Sequence, residues 1–161
     1  MPEGCTGFVD ALGIADKVFK AGSAKCALVV GAETLSRVVD WTDRNTCVLF
    51  GDGAGAVILE QSDEPGILST HLHADGEYES LLTVDYGVST RADQIISGSG
   101  GIQMKGNEVF KMAVNTLGRI VDETLAFNNM KKSDIEWLVP HQANIRIINS
   151  TAKKLKLSTD Q

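Results

Sequence analysis

With 161 residues, 43% hydrophobic and 22% charged, the chain has an ordinary soluble balance and enough length to bury a real core. A net charge of -6 argues against general nucleic-acid binding, which needs a basic face. No apolar run approaches transmembrane length, and the N-terminus lacks a basic-then-apolar leader, so a cytoplasmic protein without membrane contact is expected. Three cysteines without a C-x-x-C pair indicate neither a disulfide framework nor a zinc site.

In chain order, apolar spacing of Phe8, Leu12, Ala15, Val18 and Phe19 predicts a helix from about Thr6 to Ala21, stopped by Gly22 and Ser23. Cys26 to Val30 reads as a strand covered on both faces, and Thr34 to Asn45 as a polar loop. Cys47 to Phe50 and Ala54 to Glu60 read as strand pieces joined by Gly51-Asp52-Gly53, and Gly66 to His73 as another strand. Gly76 to Gly101, rich in Gly, Ser and Asp, is expected to form a long loop. Helical spacing runs from about Asn107 to Phe127. Ser133 to Glu136 has the form of a capping box, Trp137 to Val139 of a strand, and Ile145 to Leu155 of a last helix. The order of elements indicates an α/β protein with a largely buried sheet. No strand precedes the first helix, Met1-Pro2-Glu3 does not look like one, and no strand follows the last helix, so the chain is expected to be the middle of something larger.

Two places carry chemistry. Cys5, flanked by Gly4 and Gly7 at a helix start, is in the setting that favours a thiolate nucleophile. His141 follows Val139-Pro140 and is accompanied by Gln142 and Asn144, which puts an imidazole and amide donors at an expected strand end. Cys26 and Cys47 lie in apolar runs and read as core; His71 and His73 would share one strand face without further metal ligands. Gly51 to Ala56 satisfies G-x-G-x-x-A, but a strand run follows it, so the dinucleotide reading is rejected. From His141 to Leu157 the charged residues Arg146, Lys153, Lys154 and Lys156 are all basic, which alone reads as a solvated helix face.

Cys5-Thr6-Gly7-Phe8, Phe50 to Ala56, Ser69 to Gly76, Gly106 to Phe110 and Val139 to Arg146 together resemble the β-ketoacyl-acyl-carrier-protein synthase III family, from about Cys5 to the end of the chain. The resemblance implies an α/β partial thiolase fold: residues 1–62 as the end of the N-terminal half carrying the nucleophile, residues 63–161 as the start of the C-terminal half carrying the catalytic histidine. It implies Cys5 as acyl acceptor from acyl-CoA and His141 as the group that assists decarboxylation of malonyl-carrier protein. Arg44 and Asn144 match positions near the coenzyme A path. Gln142, Ala143, Asn144, Ile145 and Arg146, with Lys153 and Lys154, match a surface for the acidic acyl-carrier protein, which turns the basic run into a steering element. A homodimer and no bound cofactor or metal are also implied. The family's third catalytic group, an asparagine, and its glycine-rich oxyanion loop have no counterpart in this sequence, so impaired condensation is expected. Two other readings stay open: a non-catalytic fragment that binds carrier protein or a full-length synthase, and a related condensing enzyme of secondary metabolism.

Overall fold

The computed structural model describes residues 4–85 and 101–157. Its elements are α1 (Gly7–Lys20), β1 (Cys26–Thr34), β2 (Asp52–Glu60), β3 (Leu82–Val84), β4 (Ile102–Met104), α2 (Gly106–Phe127) and α3 (Ile145–Leu155), with short 3₁₀ turns at Leu35–Arg37, Gly76–Leu81 and Lys132–Asp134. The chain divides into two compact units, one drawn from Met1–Thr34 and Asp52–His73, the other from Leu35–Gly51 and Ala74–Gln161.

In the first unit, α1 packs on β1, and β1 pairs antiparallel with β2 from Cys26↔Glu60 to Thr34↔Asp52. The helix ends where Gly22 takes a φ of +71°, with the Ser23 N–H donating to the Val18 carbonyl at 3.1 Å. Gly31 allows α1 to approach β1: a Cβ there would lie 3.3 Å from Phe8. Gly13 does the same for the segment around Thr70, where a Cβ would lie 3.3 Å from Oγ1. On α1, Asp16 is buried against the Lys20 ammonium at 2.9 Å, with Lys17 at 3.4 Å.

In the second unit, α2 packs on α3, and β3 pairs antiparallel with β4. The buried residues of α3 are Ile147, Thr151, Ala152 and Leu155, one stripe of a 3.6-residue period. Both helices end on a left-handed residue, Asn129 at φ 54° and Lys156 at φ 58°. In each case the next N–H reaches back five residues, Met130 to Leu125 and Leu157 to Ala152. The α2–α3 crossing is close at Gly118, over which the Lys154 stem lies; the Lys154 Nζ continues to Asn115 Oδ1 at 3.2 Å. Gly101 meets the Val38–Asp40 backbone too closely for a side chain, and the Ile102 N–H donates to the Val38 carbonyl at 2.9 Å.

Several sequence expectations change. Cys47 to Phe50 is not a strand but the end of a run of turns, because the Asp43 carbonyl captures the N–H groups of both Thr46 and Cys47, and β2 starts only at Asp52. Gly66 to His73 and Trp137 to Val139 are not paired in any ladder among the described residues; an extended apolar run becomes a strand only when a partner takes its N–H and C=O groups. The sheet is not largely buried: in β1 only Val29 is buried, and in β2 no residue is. Cys26 is accordingly exposed and Cys47 half-buried, neither of them core. The expected loop from Gly76 begins instead with a 3₁₀ turn and β3, while residues 86–100 lie outside the described residues, as does Met1-Pro2-Glu3. The turn near Ser133 is held by Asp134, whose carboxylate accepts the Lys131 N–H at 2.9 Å, rather than by a Ser133–Glu136 box.

Candidate functional site

Cys5 lies in the turn that leads into α1, where the Gly7 N–H donates to the Gly4 carbonyl at 3.0 Å, and its thiol side chain is exposed. Thr6 occupies the cap position but its hydroxyl caps nothing, so no side chain closes the first-turn N–H groups beside the cysteine. An open groove of about 450 Å³ runs between α1 and β1 from this end, lined by Phe8, Ala11, Ile14, Val29 and Gly31 among others.

The second unit holds the remaining candidates. His141, Gln142 and Ala143 are exposed on the irregular segment that enters α3. Asn144 has a structural task that the sequence did not reveal: its Oδ1 accepts the Arg146 N–H at 2.9 Å and caps α3. Ile145 is 65% exposed at the first helical position. Arg146 lies over the Phe110 ring of α2, 5.4 Å from its centroid, an aromatic support that no spacing in the sequence signals. Lys153 and Lys154 stand in the last turn of α3, where cations suit the helix dipole. One end of this short helix thus presents His141, Gln142 and Arg146, and the other presents lysines.

Arg44 is exposed in the run of turns before β2. Asp40 accepts the Thr42 hydroxyl at 2.7 Å and the Thr42 N–H at 2.8 Å. Asp43 accepts the Asn45 N–H at 3.0 Å, the Asn45 amide at 2.9 Å and the Thr46 hydroxyl at 2.9 Å. The Thr42 hydroxyl and N–H hold the Asp40 carboxyl below its ordinary pKa, and the Asn45 N–H with the Thr46 hydroxyl does the same for Asp43. The D-x-T and D-x-N spacings were the signal for these turns. His71 pairs with the Ser69 hydroxyl at 3.0 Å, and no group of three or more potential metal ligands occurs among the described residues.

Residues 1–76 match the family described as 3-oxoacyl-[acyl-carrier-protein] synthase III, and residues 125–161 match the C-terminal part of the same family. The chain is 68% identical over 157 residues to beta-ketoacyl-[acyl-carrier-protein] synthase III of Thioalkalivibrio sulfidiphilus, covering 98% of this chain and 49% of that protein. It is 59% identical to the protein of the same name from Alkalilimnicola ehrlichii, at the same coverage. Among solved structures, that of 3-oxoacyl-[acyl-carrier-protein] synthase III from Aquifex aeolicus superposes with a TM-score of 0.85 at 45% identity, over 97% of this chain and 47% of that one. The priming β-ketosynthase of the R1128 polyketide pathway gives the same TM-score at 34% identity, over 96% of this chain and 46% of its own. The chain therefore spans about half the length of the relatives it matches, and it has the α/β architecture of part of a thiolase fold.

Proposed function

The chain belongs to the 3-oxoacyl-[acyl-carrier-protein] synthase III family, and from that premise we propose that it carries two working groups of an acyl-transferring, decarboxylative condensation. The Cys5 sulfur attacks the carbonyl of an acyl-CoA thioester, a new C–S bond forms, and coenzyme A leaves as its thiol after taking a proton. Malonyl-carrier protein then loses carbon dioxide; His141 donates a hydrogen bond to its thioester oxygen as enolate charge develops there. The enolate carbon attacks the acyl-Cys5 carbonyl, the C–S bond breaks, and a β-ketoacyl-carrier protein is released. Neither step uses a bound cofactor. Arg44 and Asn144 contact the coenzyme A arm in this reading, with Asn144 acting from its capping position.

The observation that carries the proposal is the exposed Cys5 thiol at an α1 start that no side chain caps. Gln142, Ala143, Asn144, Ile145, Arg146, Lys153 and Lys154 form the carrier-protein surface in the same reading. The Phe110 ring under Arg146 and the Asn115 amide on Lys154 support it, since both reduce the ordering cost of meeting an acidic partner. Residues 1–62 and 63–161 serve as the parts of the two thiolase halves that carry nucleophile and histidine. A cytoplasmic homodimer without nucleic-acid or membrane partners completes this reading; the net charge of -6 argues against a nucleic-acid partner, and among the described residues no helix is long and apolar enough to cross a membrane.

On this reading the isolated 161-residue chain, which spans about half the length of its relatives, is expected to keep acyl transfer and to condense at least roughly 10²-fold more slowly than they do. Intact mass after incubation with acetyl-CoA tests the first half-reaction: a gain of about 42 Da, acetyl replacing hydrogen, that disappears in Cys5→Ala is the expected result. A folded protein that gains no mass would overturn the assignment of Cys5.

A further inference from the structure

Two cations of α3 cross onto α2: Arg146 lies over the Phe110 ring, 5.4 Å from its centroid, and Lys154 lays its stem over Gly118. The cations are eight residues apart on α3 and their seats eight apart on α2, a rise of about 12 Å along either helix. Gly118 is buried beneath the lysine. A Cβ at this position would lie 2.9 Å from Lys154 Cε and 3.0 Å from both Cδ and Nζ, so the stem fills the room that a methyl would need. What it would strike is the far end of a flexible side chain, not backbone, so an alanine here moves the lysine and leaves the helices in place. Glycine within a helix is unfavourable relative to alanine, and the notch over position 118 is what its lack of a side chain provides. The Lys154 ammonium then donates to Asn115 Oδ1 at 3.2 Å. This acceptor is an amide, where Lys17, Lys20 and Lys132 meet carboxylates. A neutral acceptor takes one of three N–H groups and leaves the full charge and two donors for an outside partner. Both Lys154 and Asn115 are exposed, so the ammonium is held without being hidden.

We propose that Gly118 and Asn115 are positioning residues for an acidic protein partner: they hold the Lys154 ammonium at a set spacing from Arg146, so that the partner's carboxylates meet cations already in place. The inference rests on the reading of Arg146 and Lys154 as carrier-protein contacts, and it adds the two residues of α2 that make one of those contacts ready. A lysine loses much rotamer freedom when a partner immobilises it, and a stem already seated in a notch loses less, a difference of about threefold in affinity.

The test is a pair of double-mutant cycles, read as affinity for a labelled bacterial holo-acyl-carrier protein by fluorescence anisotropy at low salt, with thermal unfolding of each variant beside it. Gly118→Ala and Asn115→Ala should each bind the carrier about threefold more weakly. Gly118→Ala should at the same time unfold at an equal or higher temperature, because the helix gains an alanine; a role in packing alone would not lower affinity while stability holds. In a Lys154→Ala background neither substitution should have any further effect on affinity, since both act through that ammonium. If the carrier binds, and binds less well in Lys154→Ala, yet neither Gly118→Ala nor Asn115→Ala changes the affinity, this inference is wrong and the carrier-surface reading stands. An affinity loss that persists in the Lys154→Ala background assigns the two residues to helix packing and also overturns it, as does a carrier affinity that Lys154→Ala leaves unchanged. A carrier that does not bind the folded chain at all overturns both the inference and the reading beneath it.

Discussion

Strand β2 and helix α3 have similar lengths, nine and eleven residues, and opposite fates. Four residues of α3 are buried, and none of β2. The helix closes its own backbone hydrogen bonds and needs one neighbour for one apolar stripe, which α2 provides. The strand, with Ala54 to Leu59 apolar at all but one position, carries apolar side chains to both faces. It is paired at one edge with β1, yet among the described residues neither face is covered by a second layer, and Leu28, Val30, Val57 and Ile58 stay exposed. A local periodicity is thus completed within a short stretch of chain, whereas a two-sided strand depends on layers from elsewhere.

Mutations can break or sharpen this contrast. The largest effect is expected for Leu155→Ala, because Leu155 is 2% exposed in the α3 stripe: a loss of about 2–5 kcal/mol, read by urea unfolding. A loss below about 1 kcal/mol would mean that α3 is not a packed element. Next comes Asn144→Ala, which removes the cap of the same helix; it should lower stability by about 1 kcal/mol, with Asn144→Asp recovering most of it.

A smaller effect, visible only through pH, belongs to Asp16 on α1. Hydrogen bonding to Lys20, then to Lys17, holds its folded-state pKa below the ordinary value. Its contribution is therefore fully present above about pH 4, near the unfolded carboxylate pKa, and is lost as pH falls through the lower folded value. Thermal unfolding of Asp16→Asn and the unchanged protein should differ at pH 7 and converge toward pH 2; a constant difference would show that the ion pair contributes nothing. The smallest effect is expected for Leu28→Ala, within about 0.5 kcal/mol, because the side chain is 67% exposed. A cost above about 2 kcal/mol would show that this face is covered in solution, and the contrast between strand and helix would disappear.

The same contrast explains what could be read in advance. Helices α1, α2 and α3 were legible to within a residue or so at each end because spacing and stop signals such as Gly22 and Ser23 are local. Cys47 to Phe50 was misread because an apolar run says nothing of the Asp43 carbonyl that captures its first N–H group. Gly66 to His73 and Trp137 to Val139 were misread because strand identity resides in the partner. Of the candidate site, Cys5, His141 and Arg44 were visible as residue types in motifs. The capping role of Asn144 was not, since its amide reads equally well as a ligand donor. Nor was the Phe110 ring under Arg146, which depends on how α2 and α3 cross.

One small contact on the helix that follows Cys5 sets a distance to which the proposed chemistry is sensitive. Phe8 is three residues beyond Cys5, and it rests where Gly31 has no side chain, with only 3.3 Å left for a Cβ. The strand therefore works as a height gauge for the start of the helix. One methyl at position 31 would lift that end by tenths of an ångström, carrying the sulfur with it, while every reacting group kept its identity. Reactions between positioned groups lose rate steeply when one of them is misplaced by an ångström. The position of the thiol is thus written into a residue that has no side chain and takes no part in the proposed reaction.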